Sequence, residues 1–216
     1  MIAAKEVGGD FYDFYLLTED TLGILIADVS GKGIPAAMMM MQAKALISSL
    51  ANSGIDVAEV FTRANDALCE HNDANMFITA WMGILNLKTG LLTYANAGHN
   101  PPLLRRKGQQ FEYLKSPAGF VLAGWEGFQY QKQKLQLAPG DQLYLYTDGV
   151  TEAENFAAVQ FGNDNLCTAL NEEKSDDPEK LCRKIKQDVD RFVGDSLPFD
   201  DITMLSLTYR GGANNG

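Results

Sequence analysis

From Phe77 to Thr147 the chain keeps a strand-like period of two through one short segment after another, and helix-forming stretches stand only before and after it. That segregation constrains the fold more than any other feature. The segments Phe77–Leu87, Leu91–Ala97, Leu103–Arg106, Phe111–Leu114, Phe128–Leu137 and Gln142–Thr147 read as strands. Turn residues such as Lys88-Thr89-Gly90, Lys107-Gly108 and Pro139-Gly140-Asp141 divide several of them. Two more strands are expected ahead of this region. One runs from Val7 to about Thr18, and Leu22–Val29 is the near-continuous apolar run of a buried strand. Helices are predicted over Ala36–Leu50, with Pro35 in the first turn, and from the capping residue Asp56 to about His71. The tail reads as helices over Asp164–Glu172 and Pro178–Val193, then a strand over Ile202–Tyr209. Grouped strands flanked by grouped helices make an α+β pattern, most simply a sheet sandwich with helices packed outside. No repeat, low-complexity tract or linker divides the chain, so residues 1–216 are expected to form a single domain.

Charge and cysteine usage exclude several function classes. A formal net charge of −10 disfavours nucleic-acid binding, which needs a basic surface. Cys69, Cys167 and Cys182 are widely spaced without a CxxC pair, which fits free thiols in a reducing cytoplasm and argues against a zinc site or disulfide framework. No apolar run reaches bilayer length without a charge or glycine, and no basic-then-apolar leader opens the chain, so no membrane contact is expected of this domain.

Acidic residues gather at strand ends beside small, turn-forming neighbours: Asp10 after Gly8-Gly9, Asp28 before Val29-Ser30-Gly31, Asp148 before Gly149, and the pair Asp200-Asp201. Each alone is an ordinary turn residue, and Asp141 in Pro139-Gly140-Asp141 is read as only that. Carboxylates brought together from separate strands repel at a cost of several kcal/mol in a poorly solvated site. Hard divalent cations such as Mg2+ or Mn2+ remove that cost. A pair of them can activate a water for attack on phosphorus.

The motifs Glu6–Asp13 (EVGGDFYD), Asp28–Gly33 (DVSGKG), Ala97–Pro102 (AGHNPP), Pro139–Asp141, Tyr146–Glu152 (YTDGVTE) and Asp200–Thr203 (DDIT) resemble, in order and spacing, the bacterial PP2C-like phosphatases of the stage II sporulation protein E and RsbU type. The resemblance runs from about Lys5 to Tyr209. It implies a four-layer αββα sandwich that binds two Mn2+ or Mg2+ ions and hydrolyses phosphoserine or phosphothreonine on a protein. The implied partner is a phosphorylated STAS-domain anti-anti-sigma factor, in the cytoplasm. It also implies a longer protein of which this is the C-terminal part, with a sensor or receiver domain before it, and a possible homodimer contact. By position, Asp28 matches the bridging metal ligand and Val29 supplies a backbone carbonyl. Asp148 and Asp200 match side-chain ligands, Asp10 the acidic residue near the second metal, and Lys5 the place of a phosphate-binding arginine. Asp201 is the alternative to Asp200 as direct ligand. The chain departs from the family at Ser116–Phe120, where members commonly carry Pro-Leu-Gly.

Rival readings are weaker. Gly8-Gly9-Asp10-Phe11 lacks the second acidic residue of a cyclase-type GGDEF motif, and Gly31-Lys32-Gly33 lacks P-loop spacing. His99 is read as structural rather than as a general acid. Met38–Met41 is read as mostly core, with part facing an interface. A catalytically weak PP2C-like module serving as a protein-binding regulator is the alternative function, and a small-molecule phosphoesterase a third. The helical hairpin Ile34–Ala51 and Asp56–His71 follows Asp28 closely and is expected to influence the site.

Overall fold

The computed structural model describes residues 1–4, 6–70, 72–115, 117, 119–194 and 200–212. Strands β1 (Phe11–Thr18) and β2 (Thr21–Val29) form a hairpin, followed by helices α1 (Ile34–Asn52) and α2 (Val57–Cys69). Six strands come next: β3 (Ile78–Asn86), β4 (Leu91–Ala97), β5 (Leu103–Arg105), β6 (Phe111–Tyr113), β7 (Gln133–Gln136) and β8 (Gln142–Tyr146). Helices α3 (Asp148–Thr151), α4 (Gly162–Glu172) and α5 (Pro178–Val193) precede the closing strand β9 (Met204–Thr208). One antiparallel sheet has the order β1-β2-β3-β4-β7, the other β6-β5-β8-β9.

Strand alternation sorts the apolar residues into three layers. Along β2, Leu25, Ala27 and Val29 pack against α1 and α2, together with Ala43, Ile47, Val60 and Phe61. Ile24 and Ile26 point the other way, into a central layer shared with Trp81, Leu85 and Leu92 of the same sheet and Leu143 and Leu145 of the other. Tyr144 and Tyr146, of opposite parity on β8, pack with Leu166, Leu170, Leu181 and Ile185 of α4 and α5. The result is the expected αββα arrangement of layers. Each fully buried Leu, Ile or Met in these layers contributes about 1.5–3 kcal/mol of transfer free energy. Helix α1 is apolar and long enough, by composition, to span a bilayer. Here it packs through Ala36, Ala43 and Ile47, while Lys44 donates to the Tyr12 carbonyl at 3.2 Å.

Alternation also decides where the polar strand ends point. Side chains two apart share a sheet face. Asp28 therefore follows Ile24 and Ile26 toward the seam between the sheets, and Thr147 follows Leu143 and Leu145. Asp10 precedes Phe11, which packs on the α1–α2 side, and so faces the seam as well.

Four local expectations change. The first strand starts at Phe11 rather than Val7. The Phe128–Leu137 strand is paired only over Gln133–Gln136, because its aromatic start serves the helical layer instead. Phe128 and Tyr130 stack edge-on at 4.9 Å, Tyr130 meets Phe61 at 5.7 Å, and the Tyr130 amide donates to Thr62 Oγ1 at 3.3 Å. The last strand starts at Met204, because the Thr203 amide donates to the Thr147 hydroxyl at 3.0 Å rather than to a strand backbone. Asp141 makes the expected turn and is also a buried anchor. Its carboxylate accepts from the Ala138 amide (2.9 Å), the Lys107 amide (3.0 Å) and the Arg106 guanidinium (2.6 Å). Burial alone would raise its pKa; these partners outweigh it and hold the carboxyl below the usual range.

Candidate active site

The structure brings Asp10, Asp28, Asp148 and Asp200 together at one end of the seam. Asp28 is the centre of the group. Burial first, then the Asp10, Asp148 and Asp200 carboxylates, push its carboxyl up to about 9. Asp10 is almost fully buried and accepts a 2.7 Å hydrogen bond from Thr147 Oγ1. Burial lifts it to about 7, against the lowering effect of the Thr203 and Thr147 hydroxyls. The Thr203 hydroxyl lies nearby without a hydrogen bond of ordinary geometry. Asp148 opens α3, where Thr147 is the N-cap residue. Burial, Glu152 and Asp200 raise its pKa, and the Gly149 amide and Lys32 partly offset them.

The two adjacent aspartates do different work. Asp200 stays partly exposed and forms an ion pair with Lys32, Nζ to Oδ2, at 2.9 Å. Asp201 is buried, and its carboxylate is spent on backbone amides: Ala4 at 2.8 Å and Asp10 at 3.4 Å. It thus ties the N-terminal segment to the site, helped by the Ile2–Ile202 backbone pair at 2.8 and 2.9 Å. Lys5 lies outside the described residues.

Glycines let these backbones approach. A Cβ on Gly8 would stand 2.0 Å from Asp201 Oδ2, and one on Gly9 would stand 2.8 Å from the Val29 carbonyl oxygen. At Gly149 it would stand 1.9 Å from the Asp201 carbonyl oxygen. The Gly-Gly-Asp and Asp-Gly pairs are therefore requirements of close approach, not of turn conformation.

The donor set fits hard divalent cations. It consists of carboxylates that raise one another's pKa, plus the Val29 carbonyl reached past Gly9, and the groups acting on them are oxygen and amide groups and the Lys32 ammonium. Among the described residues no three acidic, histidine or cysteine side chains already converge as a closed metal cage. Asp200 turns to Lys32, and Asp201 is held by amides.

His99 joins the two sheets beside this group. It follows β4, its Nδ1 pairs with Thr79 Oγ1 of β3 at 2.9 Å, and the Tyr146 backbone of β8 partly offsets its burial. Nε2 itself has no partner of hydrogen-bond geometry. Burial holds the imidazole neutral, pushed down to about 4 from 6.5. An unfolded chain takes up the proton at the higher value. The stability that neutral His99 contributes is therefore complete above about 6.5 and is lost as pH falls toward about 4. Replacing it by Gln is expected to lower stability at neutral pH and to flatten this acid limb. Urea unfolding of both proteins at pH 5 and pH 7 checks the slope, and equal slopes would remove His99 as its source.

Sequence reasoning missed Thr147, which fixes Asp10, and Lys32, which meets Asp200. The parity of Thr147 with Leu143 and Leu145 was a usable signal for the first. Lys32 stands inside the Asp28–Gly33 motif, but no local pattern announces its pairing with the distant Asp200.

Comparisons with known proteins identify the family and the fold. The family model described as stage II sporulation protein E (SpoIIE) matches residues 18–210. That stretch includes Asp28, Asp148, Asp200 and Asp201, and Asp10 precedes it. Protein IcfG of Synechocystis sp. is 33% identical over 234 residues, covering 96% of this chain and 36% of its own length. Phosphoserine phosphatase RsbU of Bacillus subtilis is 36% identical over 151 residues, covering 70% of this chain and 45% of its own length. The chain thus spans less than half the length of these two relatives. The SiaA-PP2C domain of Pseudomonas aeruginosa has the same fold, with a TM-score of 0.84 at 24% identity over 96% of this chain and 83% of that one. With two antiparallel sheets between helical layers and the family model matched over residues 18–210, the chain belongs to the stage II sporulation protein E family.

Proposed function

We propose that this chain is a metal-dependent protein serine/threonine phosphatase acting on phosphoserine or phosphothreonine of a regulatory protein. The observation that carries the reading is the convergence of Asp10, Asp28, Asp148 and Asp200 on one edge of the sheet seam, where the other three each raise the cost of ionising Asp28. Asp28, Asp148 and Asp200, with Asp10 and the Val29 carbonyl, would hold two Mg2+ or Mn2+ ions. When bound, such ions supply an acidified water as nucleophile and neutralise the phosphoryl oxygens. Thr147 orients Asp10 through its 2.7 Å hydrogen bond. Asp201 holds the Asp10 and Ala4 backbones against the site, so it positions and does not ligate.

The substrate class follows from the likeness to RsbU, whose name is phosphoserine phosphatase. We assign a phosphorylated STAS-domain anti-anti-sigma factor as partner, in the cytoplasm, with a sensor or receiver domain preceding this one in the full-length protein. A protein-binding regulator without turnover is the alternative.

One assay separates them. Phosphate release from a phosphorylated STAS-domain protein, from unrelated phosphopeptides and from a small aryl phosphate is measured with and without metal. Activity is expected to be abolished by chelator, to return with Mn2+ or Mg2+, and to be highest on the STAS protein. Undiminished turnover in a verified metal-free preparation would overturn the metal dependence, and equal rates on unrelated phosphopeptides would overturn the partner.

A further inference from the structure

The described residues gather acidic side chains at the site and bring one lysine onto them. Divalent cations held by Asp28, Asp148 and Asp200 would offset the charge that these carboxylates turn toward a phosphoryl dianion, and a side-chain cation at the rim would add a directional contact that orients it. Lys32 stands in the right place. It lies in the loop joining Val29 to α1, four residues after Asp28. Its ammonium is 2.9 Å from Asp200 and also lowers the pKa of Asp148, so it sits over the side of the group that those two residues form. Lys32 and Asp200 each keep about a third of their side chains exposed, at 29% and 30%, so the pair is open to an incoming ligand. Gly31 and Gly33 flank it at φ of 88° and 79°, conformations that let the short loop redirect the side chain.

We propose that Lys32 is the residue that binds the substrate's phosphoryl group, and that its ion pair with Asp200 is the resting arrangement it leaves to do so. This deepens the phosphatase reading and rests on it. An Asp200 carboxylate that turns to a divalent cation loosens its hold on the Lys32 ammonium, which can then swing toward a phosphoryl oxygen. Lys32 therefore competes with the cation for Asp200 and cooperates with it toward phosphate.

The test reads binding, not turnover. Lys32→Met removes the charge at similar volume, and Lys32→Arg restores it. Calorimetric titration of inorganic phosphate into the Mn2+-loaded protein is expected to show affinity about ten- to a hundred-fold weaker in Lys32→Met, the worth of a hydrogen bond to a charged group. Lys32→Arg should recover most of it. Titration of Mn2+ without phosphate should show roughly two- to five-fold tighter binding in Lys32→Met, as expected for loss of a partly exposed ion pair. A thermal melt confirms that each variant is folded. Unchanged phosphate affinity in folded Lys32→Met overturns the proposal, even if Mn2+ binds more tightly, because Lys32 would then only guard Asp200. Loss of phosphate binding that Lys32→Arg fails to restore overturns it too. A wild-type protein that binds Mn2+ and phosphate but releases no phosphate from any phosphoprotein would instead refute the phosphatase reading.

Discussion

Asp28→Asn is expected to lower phosphoserine hydrolysis on the order of a thousand-fold or more while leaving the protein folded. Three observations set the size of the effect. Asp28 is the side chain on which Asp10, Asp148 and Asp200 all act. It sits at the end of β2, paired across the ladder with Thr79, which in turn holds His99, so its backbone is fixed on the β3 side. Asparagine keeps the shape and one oxygen but removes the charge that would hold divalent cations, and misplacing the nucleophile as well as the counter-charge is costly. Stability should move little or rise in chelator, because a neutral side chain replaces a carboxyl that burial and its neighbours already disfavour as an anion. Steady-state kinetics at saturating Mn2+ and thermal melts with chelator check both halves. A variant with near wild-type turnover would show that Asp28 is not the centre of the chemistry. A variant that has unfolded would say nothing of catalysis, and Asp148→Asn, at the exposed side of the same group, then serves as the second probe.

Much of the site was legible because its geometry follows from strand parity. Once Leu22–Val29 is read as a strand, Asp28 must share a face with Ile24 and Ile26. The residues with no such local rule were invisible. The Lys32–Asp200 ion pair and the Asp201 bonds to the Ala4 and Asp10 amides join positions nearly a whole chain apart. Helix α3 has only four residues, too few to display a period. The Phe128–Tyr130 segment carries strand-like alternation, but its aromatic rings find a better partner in Phe61 of α2 than in a neighbouring strand. In each case the deciding contact is tertiary, and local propensity had no access to it.

The same reasoning makes the small residue after Asp148 as critical as the aspartate itself. Gly149→Ala places a methyl group 1.9 Å from the Asp201 carbonyl oxygen, 2.9 Å from its carbonyl carbon and 3.5 Å from that of Asp200. All three are backbone atoms, so no side chain can rotate away to relieve the overlap. Either α3 or the Asp200–Asp201 segment must move, and each carries a member of the acidic group. The segment is not free to move, because Asp201 is held by the Ala4 and Asp10 amides and, two residues on, the Thr203 amide by Thr147. The strain therefore falls on the relative placement of Asp148 and Asp200. Overpacking of this kind costs about 1–3 kcal/mol of stability. A displacement near an ångström at a catalytic group costs roughly a hundred-fold in rate. Both losses are expected together in Gly149→Ala, with weaker Mn2+ binding measured by titration. Gly108→Ala is the control: a Cβ there meets nothing within 4 Å, although its φ of 77° adds backbone strain far from the site. It should lose stability and keep turnover. If Gly149→Ala behaves like Gly108→Ala, losing stability alone, the close approach of α3 to Asp201 is a packing feature and does not set the positions of Asp148 and Asp200.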